Sequence, residues 1–114
     1  MFKEIECLQF SYDGRSRVKE IELDSKIQFR AQSPIDETRL ERAVLVKFDA
    51  SGDDEKFKIG CLCRVVFAFS SPEELIEGNE LLRLCQAEAY THMTELVNKT
   101  LAAMGQNAMD FPEL

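Results

Sequence analysis

The sequence predicts an α+β domain: a four-stranded antiparallel sheet packed by one long C-terminal helix and a short preceding helix. Three observations predict it. Two long segments, Leu40 to Ala50 and Lys56 to Phe69, alternate apolar and polar residues; a third, Val18 to Ala31, alternates most cleanly of all; and the period then becomes helical from Asn79 to Met104. An alternating strand has one apolar face, and a helix with one apolar stripe can cover it.

Taken in order, Ile5 to Tyr12 is rich in strand formers, and Tyr12-Asp13-Gly14-Arg15 reads as a turn suited to a hairpin, with glycine free to take positive φ. In the next strand Ile21, Leu23, Ser25, Ile27, Phe29 and Ala31 form a dry face, while Glu20, Glu22, Asp24, Lys26, Gln28 and Arg30 form a wet one. Ser33-Pro34-Ile35-Asp36 breaks the pattern, because proline lacks a donor and restricts the residue before it. The third strand keeps Val44, Val46 and Phe48 together, and Asp49 to Asp54 supplies an acidic turn. That turn lacks the spaced carboxylates and closing glutamate of a calcium loop, so it reads as a hydrated hairpin tip.

In the fourth strand Phe57, Ile59, Cys61, Cys63, Val65, Phe67 and Phe69 share one face, yet Leu62, Val66 and Ala68 make the other face partly apolar. An interior strand or a face packed on another subunit would each account for this. Ser71-Pro72-Glu73-Glu74 is a helix start, with serine to cap, proline in the first turn and glutamate to close a capping box; that short helix ends near Gly78. Asn79 then caps the long helix. Its stripe is Leu82, Cys85, Ala89, Met93, Leu96, Thr100 and Ala103, flanked by Leu81, Val97, Leu101 and Met104. At ~1.5 Å per residue the helix is about 39 Å long, a surplus over a short sheet that points to contact with a partner chain. Gly105 suits its C-terminal cap, and Phe111-Pro112 fixes an extended tail that lies back on the domain.

Composition bounds the function. The 114 residues form one domain, which buries roughly 65% of its unfolded surface and needs no metal or disulfide to fold. Fourteen basic against 21 acidic residues give a net charge of −7, which repels phosphate backbones and anionic lipid and attracts a basic partner. No apolar run approaches the ~20 residues of a membrane span, and the acidic start Met1-Phe2-Lys3-Glu4-Ile5-Glu6 is unlike a signal peptide, so a cytoplasmic protein is expected. Cys7, Cys61, Cys63 and Cys85 are therefore expected to be reduced thiols acting as small buried hydrophobes. Cys61-x-Cys63 places two sulfurs on one strand face; a closed zinc site needs two more ligands, and only His92, Cys7 or Cys85 could supply them. No cofactor is expected.

The catalytic inventory is poor. His92, the only histidine, lies two helical turns from Cys85, roughly 10 Å away and too far to activate it, so it reads as a solvent-edge or interface residue. A thiol enzyme using Cys85 or Cys63 would require a reactive thiol near neutral pH. The five glycines are scattered, which leaves no phosphate-cradling loop. Glu20, Glu22 and Asp24 form a carboxylate stripe spaced about 7 Å apart, readable as a hydrated surface or as a docking patch for a basic partner. The Val65, Phe67, Phe69 row reads as core or as the lining of a groove for apolar peptide.

The order of elements, together with two stretches, resembles the bacterial export chaperone SecB and its smaller relatives. The stretches are Glu41-Arg42-Ala43-Val44-Leu45-Val46-Lys47-Phe48-Asp49-Ala50 and Phe57-Lys58-Ile59-Gly60-Cys61-Leu62-Cys63-Arg64-Val65-Val66-Phe67-Ala68-Phe69. The tail Met109-Asp110-Phe111-Pro112-Glu113-Leu114 is similar to the family's Phe-Pro segment. Two departures stand out: Val65-Val66-Phe67 replaces a glycine-containing signature, and the chain stops at Leu114 without the family's final helix. The resemblance implies a non-enzymatic, oligomeric chaperone or adaptor, a dimer or tetramer. It would hold unfolded or extended polypeptide on apolar surface contributed by Val65, Phe67, Phe69 and Met93, and dock a basic partner at Glu20, Glu22 and Asp24. The alternative is a structural or regulatory assembly protein with one specific folded partner.

Overall fold

Four strands and one long helix follow one another in a computed structural model that describes residues 2–14, 23–33, 36, 38–52 and 57–114. The strands are β1 (Phe2–Gly14), β2 (Leu23–Gln32), β3 (Glu41–Gly52) and β4 (Phe57–Ala68); a 3-10 turn at Pro72–Glu74 leads to α1 (Gly78–Ala103). The predicted α+β architecture is therefore present. The sheet is antiparallel throughout in the order β1-β4-β3-β2, a Greek-key arrangement in which the first strand returns beside the last.

That order corrects one expectation. β1 and β2, consecutive in the chain, occupy opposite edges and form no hairpin; β1 pairs with β4 instead. Its twelve-residue partner β4 is interior to the sheet, flanked on both sides; α1 seals one of its faces, and on the other Leu62 and Ala68 are half-buried and Val66 is buried. Residues 15–22 and 53–56, which include Glu20, Glu22, part of the second predicted strand and the tip of the acidic turn, lie outside the described residues.

One sheet face is packed by α1. Val44, Val46, Phe48 and Ala50 of β3, with Ile59, Cys61, Cys63, Val65 and Phe67 of β4, meet a row on the helix that steps by four: Leu81, Cys85, Ala89, Met93, Val97, Leu101. Repeated steps of four form the ridge that packs most readily into a groove. The helix is thus turned slightly from the predicted stripe: Leu82, Leu96 and Thr100 are half-buried, and Ala103 and Met104 are exposed. Both ends of the row, Leu81 and Leu101, are buried within this chain. The expected surplus length is absent because strands of 12 residues are themselves about 40 Å long, matching the helix.

The ends of α1 are built differently from one another. Glu77 rather than Asn79 occupies the N-cap, without a side-chain cap bond; in the preceding 3-10 turn the expected capping box is not formed, since Ser71 makes no side-chain cap bond and Glu74 accepts the Ser70 amide at 3.0 Å instead. At the other end Gly105 takes φ 75°, its N–H reaches Ala102 O at 3.0 Å, and Gln106 N–H reaches Leu101 O at 2.8 Å. This is a Schellman stop, which only a residue tolerant of positive φ completes without strain.

The tail then lies back on the domain, as predicted. The Asn98 amide bonds Met109 twice, accepting its N–H at 2.9 Å and donating to its carbonyl at 3.3 Å. Phe111 packs edge-on against Phe48, ring centres 5.0 Å apart, and against Tyr90, whose hydroxyl donates to Pro112 O.

Candidate functional site

The helix lies over β2, β3 and β4, leaving β1 at the margin of its cover. Register places Phe2, Ile5, Cys7, Phe10 and Tyr12 beside Phe67, Val65, Cys63, Cys61 and Ile59, so this apolar row of β1 faces the helix side of the sheet. Its inner neighbours are sealed. The row itself is half open: Ile5, Phe10 and Tyr12 are partly buried, while Phe2 and Cys7 are exposed.

Two irregularities shape this strip. Pairing slips between Phe2 and Glu4 and again between Cys7 and Gln9, so Lys3 and Leu8 are extra residues in bulges. Lys3 uses the first to reach Glu41 of β3, and Leu8 in the second is 37% exposed. Tyr12 stacks edge-on with Phe57 and donates to Gln106 Oε1 at 3.2 Å. Phe2 lies flat on His92, ring centres 3.6 Å apart, which ties the start of the chain to the helix. Among the described residues β1 is an edge strand, with β4 as its neighbour in the sheet.

The predicted peptide-contacting residues lie one strand further in. Val65, Phe67 and Met93 have 0% exposure and Phe69 9%, so the sheet–helix packing brings them together as core and gives them no free surface. Of the predicted acidic stripe, Glu20 and Glu22 lie outside the described residues. Asp24 is exposed on the opposite sheet face, in register with Ser51. It borders a shallow hollow of about 460 Å³ whose charged lining alternates: Asp24, Lys26, Asp49, Lys58. Sequence reasoning missed the β1 row. Its signal, apolar residues at 2, 5, 10 and 12, was broken by the two bulges and never showed a clean period of two.

Electrostatics bear on the remaining chemistry. Three cysteines are buried as expected, but Cys7 is exposed because β1 stands at the edge. Burial, followed by the nearby Glu88 charge, pushes the Cys85 thiol up; Cys61 is pushed up by its bond with Cys63 and then by burial. Such protonated thiols are poor nucleophiles. His92 sits 3.7 Å from the Glu88 carboxylate, half-buried at the helix edge. No helix among the described residues is long and apolar enough to cross a membrane.

Taken together, sheet order, helix placement and returning tail define a SecB-like fold. The structure of the SecB-like chaperone Rv1957 of Mycobacterium tuberculosis, in complex with a ChAD peptide from the HigA1 antitoxin, matches with a TM-score of 0.68 and 12% identity, over 100% of this chain and 86% of that one. A protein of unknown function from Streptococcus agalactiae matches at a TM-score of 0.46 and 12% identity, over 98% and 95% of the two chains. No protein-family model matches the sequence, nor does any curated protein.

Proposed function

We propose that this chain is a non-enzymatic SecB-like chaperone or adaptor that binds unfolded or extended polypeptide, acting in the cytoplasm as a homo-oligomer. The observation that carries the reading is the half-open apolar row of β1 at the edge of the sheet formed by the described residues. An extended segment laid along that edge gains main-chain hydrogen bonds, and its alternate side chains cover Ile5, Phe10 and Tyr12. Burial there contributes about 25 cal/mol per Å² of apolar surface. The likeness of fold to a chaperone captured with a peptide supports the same reading. Val65, Phe67, Phe69 and Met93 enter it as the floor: Val65 and Phe67 stand directly behind Ile5 and Phe2. Glu20, Glu22 and Asp24 are the proposed docking residues for a basic partner.

The test is suppression of aggregation of several unrelated unfolded clients. An Ile5→Ser, Phe10→Ser double variant that keeps its helical circular-dichroism signal should lose protection at least several-fold; unchanged protection would remove β1 from the site. A second reading, an assembly protein with one folded partner, is favoured by the complete burial of Val65, Phe67 and Met93. It predicts that the unaltered chain protects none of the unrelated clients.

A further inference from the structure

The Cys7, Cys61 and Cys63 sulfurs lie within 4.8 Å of one another, and none of the structural or functional roles above requires them to meet. Their convergence is built by the sheet. Cys61 and Cys63, two apart on β4, point to the same face, and the register of β1 sets Cys7 directly beside Cys63. The bulge at Leu8 follows at once, and Cys7 Sγ turns toward Gln9 O at 3.5 Å.

We propose that these three thiols form a binding site for a single thiophilic, closed-shell metal ion of the zinc(II) or copper(I) kind. Three thiolates about 2.3 Å from a shared ion stand about 3.8–4.0 Å apart. The observed separations, 3.2 Å between Cys61 and Cys63 and at most 4.8 Å for any pair, straddle that value, so side-chain rotation suffices to close the site. Cys61 and Cys63 are buried and Cys7 is exposed, which gives a dry floor and one open side for the ion to arrive. Sulfur-only ligation selects soft ions over magnesium or calcium. Among the described residues no fourth histidine, cysteine or carboxylate joins the group. Three-coordinate copper(I) needs none, whereas zinc(II) would take a solvent molecule at the open side.

Binding is an exchange of protons for metal: three S–H bonds break, three metal–sulfur bonds form, and three protons leave to solvent, with no change of oxidation state. Because protons are released on binding, affinity strengthens as pH rises.

The experiment uses the full reduced chain under anaerobic conditions, titrated with cadmium(II) as a spectroscopic probe for zinc. A thiolate-to-metal charge-transfer band should saturate at one ion per chain, with three thiols withdrawn from a thiol-reactive dye. Competition with zinc(II) in one arm and copper(I) in another identifies the preferred ion. Cys7→Ser, at an exposed edge position, should weaken binding at least tenfold, and Cys63→Ala should do the same by a different route. Cys85→Ala, outside the cluster, should leave affinity unchanged. Absence of a saturable band, an affinity unaffected by Cys7→Ser, or fewer than three sulfurs around the bound ion by X-ray absorption would each overturn the proposal. Formation of a disulfide within the cluster in air, with no metal bound by the reduced chain, would overturn it in favour of a redox pair.

Discussion

Arg42 on β3 and Glu77 at the cap of α1 hold each other across the sheet–helix junction, with Nε 2.8 Å and Nη2 2.6 Å from the same carboxylate oxygen. Arg42 is 4% exposed, and its Nη1 also donates to the carbonyls of Arg39 and Glu41, at 2.9 and 2.7 Å. A buried guanidinium is tolerated only when its donors are satisfied. Glu77→Ala leaves two of its bonds in place and removes its counter-charge, so a loss of about 1–3 kcal/mol is expected by urea denaturation. In the Arg42→Met, Glu77→Ala double variant the loss should be smaller than the sum of the singles, because no buried charge is then stranded.

Deleting the Phe111 ring should cost about 2 kcal/mol. The residue is half-buried, so the full core penalty does not apply, but its contacts with Phe48 and Tyr90 are lost. Hydrogen exchange supplies a second readout. The Met109 amide, bonded to Asn98 Oδ1, should exchange faster in both Phe111→Ala and Asn98→Ala.

Met93→Ala should cost about 2–5 kcal/mol, since the side chain is fully enclosed between helix and sheet. Making Phe67 or Met93 polar should unfold the domain rather than selectively block client binding. A folded, soluble Phe67→Ser variant by calorimetry would show that the floor of the sheet opens more readily than its burial indicates.

The ion pair between Lys3 and Glu41 should respond to pH at both ends of the scale. The Lys3 ammonium, hydrogen-bonded to Glu41, holds the carboxyl of Glu41 below its usual range, and Glu41 in turn raises Lys3. A depressed carboxyl stabilises above its unfolded pKa, and that support is lost as pH falls through the folded value. A raised ammonium stabilises below its unfolded pKa and loses that support as pH rises through the folded one. The attachment of β1 through this pair should therefore be strongest across the neutral range, with losses on the acid side of the carboxylate range and the alkaline side of the lysine range. Side-chain NMR titration of Glu41, with and without Lys3→Met, checks the acid limb.

Much of the architecture was legible because alternation and helical repeat report which side of an element is dry. Val44, Val46, Phe48 and the whole β4 row landed on the packed face as read from sequence. Neighbour relations were not legible. A period of two fixes the face of a strand and says nothing about which strand lies beside it, so the pairing of β1 with β4 instead of β2 had no local signal. The helix offered two adjacent apolar rows, and only packing against long strands chose the one through Leu81, Val97 and Leu101. At the proposed binding strip, bulges at Lys3 and Leu8 hid the row from any periodic reading. The thiol cluster was half visible, as Cys61-x-Cys63, and Cys7 joined it only through the register of a distant strand.

The placement of β1 beside β4 means that the first strand in the chain can be seated only after the fourth. Everything from β2 to the tail is contiguous and can zip together through neighbouring hairpins and the helix, whereas Phe2–Gly14, made first, has no seat until Phe57–Ala68 has left the ribosome. Closing so long a loop is slow compared with local pairing. For that interval the nascent protein carries its own unpaired ribbon, and the slot along β4 stands open to whichever strand arrives first.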